Sequence, residues 1–157
     1  VVEVCLNFLD SEAEAGRDWD VMGCLYATAP LRNAEDIRAT VALLEPARCA
    51  FAMAITKYNI SPYEAMKVGP DGELTPMWPE LLEYRASDLP PLRVDNGSTY
   101  AVDIASFREQ RTFCGRSLRG YEMPISRSID IDTREDFELA LWQAQRSGLA
   151  DAKPAID

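Results

Sequence analysis

Apolar residues at Val1, Cys5, Phe8 and Leu9 recur at helical spacing, and Ser11-Glu-Ala-Glu-Ala-Gly16 ends that run, so the chain is expected to open inside an amphipathic helix. Val21-Met-Gly-Cys-Leu-Tyr26 is a continuous apolar run, the form of a strand buried on both faces. After the loop Thr28-Ala-Pro-Leu-Arg32, Asn33 is placed to cap a helix. That helix carries Glu35 and Asp36 in its first turn and Ile37, Val41 and Leu44 on its inner face. Cys49-Ala-Phe-Ala-Met-Ala-Ile55 reads as a second buried strand, which gives a strand–helix–strand crossover.

That rhythm breaks between 58 and 95. Pro62, Pro70, Pro76, Pro79, Pro90 and Pro91 fall there with the turn Gly69-Pro-Asp-Gly72, and the apolar pieces are short. The pattern predicts an arm of short strands and loops leaving the core; such a segment in a compact domain is usually functional or an interface. Asp95-Asn96-Gly97-Ser98 reads as a turn, after which Ser98–Asp103 resumes the sheet and Ile104–Gln110 forms a short helix. Glu122–Ile125 and Arg127–Asp132 are expected to be extended. A last helix buries Phe137, Ala140, Leu141 and Ala144, stops near Gly148 and leaves a frayed tail. Alternating helices and strands predict one α/β domain over residues 1–157, a sandwich around a mostly parallel sheet. A chain that opens inside a helix reads as N-terminally truncated. Ligands of such sheets bind beyond the carboxyl ends of the strands, where Thr28–Arg32 and Asp130–Asp132 are both expected.

Composition narrows the chemistry. With 26 acidic and 16 basic residues the formal charge is −10, a surface that repels nucleic-acid backbones and anionic membranes. No apolar run is long enough to span a bilayer. Cys5, Cys24, Cys49 and Cys114 are scattered without a close pair, which argues against a zinc site or a disulfide framework and predicts reduced thiols in a cytoplasmic protein. The chain has no histidine, so histidine acid–base catalysis, Ser-His-Asp triads and histidine-liganded zinc are excluded for these residues.

The most informative stretch is Ser128-Ile-Asp-Ile-Asp-Thr133 with Arg134-Glu-Asp-Phe137 behind it. On a strand, Ile129 and Ile131 would face one way and Asp130 and Asp132 the other. Thr133 would then cap a helix, with Asp136 completing a capping box. Two carboxylates at a strand-to-helix junction suit Mg²⁺, which takes one or two of them and leaves positions for phosphate and water. The alternative reading is that these acids only cap the helix and favour its dipole. Phosphatases of the haloacid dehalogenase type also place Asp-x-Asp at a strand end, but with a whole domain after it; here one helix and a tail follow.

Four stretches in order, Tyr26-Ala-Thr-Ala-Pro-Leu-Arg32, Arg85-Ala-Ser-Asp-Leu-Pro90, Asn96-Gly-Ser-Thr-Tyr100 and Ser128-Ile-Asp-Ile-Asp-Thr133, resemble the acylneuraminate (nonulosonate) cytidylyltransferases, the CMP-sialic acid synthetases and their relatives. The resemblance implies a three-layer, nucleotidyltransferase-like (Rossmann-like) fold. It implies a reaction of CTP with a nonulosonic acid that yields the CMP-sugar and pyrophosphate, with Mg²⁺ as cofactor. It makes Asp130 and Asp132 the metal-binding and catalytic carboxylates, and makes Tyr26, Thr28, Arg32, Arg85, Asn96, Tyr100 and Phe113 substrate-binding residues. It makes residues 58–95 a protruding dimerisation arm of a homodimer. The departures are Tyr26 where sialate enzymes commonly carry glutamine, and Ala29 in place of a serine, a pattern closer to the pseudaminate branch. The family's N-terminal strand and nucleotide loop have no counterpart in these residues, so a non-catalytic dimeric sugar- or partner-binding module stands as the alternative. A sugar-nucleotide transferase using another donor is a third reading.

Overall fold

A computed structural model describes residues 1–45 and 47–148; the expected frayed tail lies outside the described residues. The elements run α1 (Val2–Glu14), β1 (Val21–Leu25), α2 (Ala34–Val41), β2 (Phe51–Lys57), β3 (Met66–Val68), β4 (Leu74–Pro76), β5 (Arg93–Asp103), α3 (Ile104–Gln110), β6 (Leu118–Glu122) and α4 (Arg134–Arg146). Four strands form one sheet in the order β1-β5-β2-β6, while β3 and β4 pair separately. β5 runs antiparallel to both β1 and β2, and β2 runs parallel to β6. The expected mostly parallel sheet is therefore corrected to a mixed one. β1, β2 and β6 do share a direction, but β5 returns between β1 and β2, so only one neighbouring pair is parallel.

Hydrophobic burial explains the sheet's order. β2 is buried from Phe51 to Ala54 and β5 from Asn96 to Val102, as central strands require. β1, expected to be buried on both faces, is an edge strand with Val21 and Leu25 exposed. Leu6 and Leu9 of α1 and Ile104 and Phe107 of α3 pack with Met22, Phe51, Met53, Tyr100, Val102 and Phe113. Phe8, assigned to the inner face of α1, is more than half exposed, and Leu6 takes that place.

Three further expectations are corrected. Asp95–Ser98 is not a loop between elements but an irregularity inside β5, where the pairing with β2 shifts register between Met53 and Ile55. Gly97 lies at φ 63, a conformation glycine reaches without steric penalty. The amides of Gly97 and Ser98 turn to the side chains of Asp95 and Asn96, at 3.0 and 3.2 Å. Ser128–Asp132 joins no strand ladder: β6 ends at Glu122, Ile125–Arg127 makes a 3-10 turn, and the chain is then fastened by Ile131 donating to the Thr28 carbonyl at 2.9 Å. α4 buries Ala140, but Phe137 and Leu141 stay about half exposed, against expectation.

Residues 58–95 form short pieces as predicted: the β3–β4 hairpin and 3-10 turns at Pro62–Glu64, Pro79–Leu81 and Ala86–Asp88. Tyr63 stands edge-on to Trp78 and donates to the Pro90 carbonyl at 2.8 Å, closing the segment on itself. Ile60, Val68, Leu74 and Tyr84 are nonetheless strongly exposed.

Candidate functional site

The three co-directional strands end on one side of the sheet, and most of the residues singled out in the sequence gather there. Tyr26 follows β1 directly, and its ring lies 5.1 Å from that of Tyr100 on the neighbouring strand. Tyr100 lies in turn 5.1 Å from Phe113, which packs against Phe107 and is almost fully buried. Tilted rings at this spacing form a stiff wall. The Tyr100 hydroxyl donates to Asp95 Oδ2 at 2.7 Å, and Asp95 Oδ1 holds the Gly97 amide. Burial, then the hydrogen bond to Asp95, push the Tyr100 phenol well above its ordinary value, so it remains a neutral donor at any ordinary pH. Burial also raises the Tyr26 phenol, helped by the nearby negative groups Asp95 and Asp130.

Asp130 lies against Gly97 of β5. A Cβ on Gly97 would collide with its carboxylate, so a side chain there would displace Asp130. Asp130 Oδ1 is buried and has no hydrogen-bond partner among the described residues. A carboxylate oxygen withdrawn from water without a donor is costly. It fits a site that a cation or a hydroxyl donor completes, and Mg²⁺ is compatible with that donor chemistry. Asp132 stands differently: its side chain is exposed at the start of α4, and its amide donates to Asp136 Oδ2 at 3.2 Å. The Thr133–Asp136 capping box forms as predicted. No group of three or more Cys, Asp or Glu among the described residues is arranged to hold a metal ion.

The remaining predicted residues divide. Asn96 is buried and donates to Ser128 Oγ at 3.0 Å, joining β5 to the loop that carries Asp130. Thr28 is exposed and contributes its carbonyl to the Ile131 amide. Arg32 Nη1 donates to the carbonyls of Tyr26, Ala29 and Ser98 at 2.6, 3.0 and 3.2 Å, so this guanidinium shapes the loop. Arg85 is exposed on the arm at the start of the Ala86–Asp88 turn, and among the described residues no side-chain hydrogen bond brings it to the cluster.

Sequence reasoning missed two supports. Asp36, assigned to a helix's first turn, is fully buried. Arg127 grips it with Nε at 3.1 Å and Nη2 at 2.6 Å, while the Asn33 amide and Tyr121 hydroxyl also donate to it. Burial raises the Asp36 carboxyl, but the hydrogen bonds from Arg127 and Asn33 outweigh it and hold the group below its ordinary value. Arg127 immediately precedes the Ser128–Asp132 stretch, so this pair anchors the loop that carries Asp130. The signal was the Asn33-x-x-Asp36 capping spacing, which places Asp36 at a helix start but says nothing of Arg127. The second is Asp95, hidden by its reading as an ordinary turn residue.

No protein-family model matches the chain. Among curated proteins it is similar to the N-acylneuraminate cytidylyltransferase of Streptococcus agalactiae serotype V, 24% identical over 113 residues, 72% of this chain and 27% of the relative. The corresponding proteins of serotypes III and Ia are 33% identical over 54 residues, covering 34% of this chain and 13% of each relative. The matched stretch thus spans about a quarter or less of the length of these relatives. They carry the family name that the four sequence motifs resemble.

Proposed function

We propose that this chain is part of a cytidylyltransferase that joins CMP from CTP to a nonulosonic acid and releases pyrophosphate. One observation carries the reading beyond the likeness to N-acylneuraminate cytidylyltransferases. The unsatisfied buried oxygen of Asp130 belongs to a carboxylate that lies against Gly97, and the neighbouring Asn96 binds Ser128 of the same loop, which supports a cation or hydroxyl site there.

In this reading the aromatic wall of Tyr26 and Tyr100 flanks the sugar, with Phe113 stiffening it from behind. Tyr100, held by Asp95, keeps its hydroxyl fixed, and Asn96 ties the wall to the Asp130 loop. Asp130 and Asp132 would hold Mg²⁺, which when bound offsets charge on the triphosphate. Asp130 is also the group placed to accept the proton of the sugar's attacking hydroxyl. The arm over residues 58–95, with Ile60, Val68, Leu74 and Tyr84 exposed, presents an apolar surface suited to a second subunit. Arg85, on that arm, would then serve the neighbouring subunit's site.

The test is pyrophosphate release by the protein carrying this chain, supplied with CTP, Mg²⁺ and sialic, legionaminic or pseudaminic acid in turn. Turnover that disappears in Asp130→Asn and Asp132→Asn supports the proposal. Saturable sugar binding with no consumption of CTP would replace it with the non-catalytic binding module. Consumption of a different nucleotide would make the protein a transferase with another donor.

A further inference from the structure

The four cysteines contain a pair that the sequence does not announce. Cys5 on α1 and Cys24 on β1 are 19 residues apart, yet their sulfurs are 4.0 Å from each other, with both residues half-buried. The contact arises because α1 lies on the face of the sheet to which Cys24 and its register partner Tyr100 both point. The other two thiols are separate: Cys49 is buried with its sulfur turned to the Phe51 carbonyl, and Cys114 is exposed. A disulfide needs its sulfurs at ~2.05 Å, so closure requires ~2 Å of relative movement. Closure would therefore combine side-chain rotation with a small shift of α1, the helix beside the sheet's edge strand.

We propose that Cys5 and Cys24 form a modification site, an intramolecular disulfide made by a hydroperoxide and opened by a dithiol. In the first step one thiol attacks the peroxide: Cys–SH and ROOH give Cys–SOH and ROH, with sulfur oxidised and the O–O bond reduced. In the second, the neighbouring thiol displaces water: Cys–SOH and Cys–SH give Cys–S–S–Cys and H₂O. The two hydrogens lost from the protein leave in the alcohol and the water. The bond would clamp α1 onto β1 next to Tyr26, whose ring packs on the same cluster. Exposure alone would direct oxidation to Cys114, so proximity and exposure make opposite forecasts.

The experiment uses Cys114→Ser protein, which prevents cross-linking between molecules. It is treated with hydrogen peroxide, blocked with iodoacetamide, digested without reduction and analysed by mass spectrometry. The expected result is a Cys5–Cys24 cross-linked peptide, reversed by dithiothreitol and absent when Cys24→Ser is added. Recovery of both cysteines alkylated, or oxidised to sulfinic acid without a cross-link, would overturn the proposal. Since the readout is taken on otherwise native cysteines, a folding defect in the control variant does not obscure it.

Discussion

The two ends of the sheet differ in a way that volume alone would misjudge. At the amino ends of β1 and β2 lies a cavity of about 600 Å³, lined by residues such as Asp20, Leu44, Arg48, Ala50 and Arg116. Its arginines are largely exposed and pair with acids that also reach solvent, Arg48 with Glu45 and Arg116 with Glu109. At the carboxyl ends the hollows are smaller, about 370 and 340 Å³, but polar groups there are withdrawn from water and committed. Asp36 is locked to Arg127, Tyr100 to Asp95, and Asp130 is left with one oxygen unpaired among the described residues. Chemistry follows the groups whose environment is incomplete or strongly biased rather than the larger hollow.

The sharpest way to break this comparison is to remove one member of an ion pair at each end. Asp36→Ala strands Arg127 and unfastens the Asp130 loop, and is expected to lower stability by about 3–5 kcal/mol, as when one partner of a buried pair is lost. Arg116→Ala, at the exposed end, should change it by about 1 kcal/mol or less. Urea unfolding of the two variants measures both, and equal losses would erase the distinction. The pair also gives the wild type an acid limit. Because the folded Asp36 carboxyl is held below its ordinary 3.8, its contribution is complete above that value and disappears as pH falls through the lower, folded one. Unfolding monitored from pH 6 downward should show this loss in wild type and not in Asp36→Ala.

Activity provides the next contrast. Asp130→Asn keeps the shape but removes the charge, and should reduce pyrophosphate release by about 10²–10³-fold, the scale of losing one group that stabilises transition-state charge. Asp20→Asn, in the larger cavity, should leave it nearly unchanged. Gly97→Ala tests the same place through sterics. The new methyl meets the Asp130 carboxylate, and φ 63 disfavours any side chain. A cost of about 1–3 kcal/mol is expected, together with weaker turnover, and thermal unfolding alongside the assay would separate the two. Unaltered activity in Gly97→Ala would mean that Asp130 need not sit where the structure has it.

The sequence exposed local rules well and long-range ones poorly. The Asn33 cap, the Thr133–Asp136 capping box and the helix Ile104–Gln110 follow from neighbouring residues and form as predicted. Ser128–Asp132 alternates like a strand, but alternation cannot tell whether a partner strand is available, and here none pairs with it. β5 was hidden in part because Asp95-Asn96-Gly97 has turn chemistry, which a bulge within a strand uses equally. The direction of β5 was equally invisible, since an apolar run does not reveal which way it enters the sheet. The same limit explains Cys5 and Cys24, Asp36 and Arg127, and Phe8 and Leu6. In each case the deciding fact is which surface a helix presents to a distant part of the chain.

The smallest expected effect refines the comparison inside the site itself. Tyr100→Phe retains the ring that packs between Tyr26 and Phe113 but removes the hydroxyl donated to Asp95. A single such bond contributes about 1 kcal/mol, so stability should fall by no more than that. If Tyr100 only supports the strand, sugar affinity will fall in proportion to folding, or not at all. If its fixed hydroxyl meets the ligand, affinity will drop several-fold while thermal unfolding barely moves. Spectrophotometric titration gives an independent check on the same atom. Burial and Asp95 keep this phenol protonated beyond its ordinary 10, so the alkaline tyrosinate signal of folded wild type and of Tyr100→Phe should coincide up to that range. A phenolate lost from the variant's titration near pH 10 would show that neither burial nor Asp95 shields this hydroxyl in solution, and would remove Tyr100 from the wall.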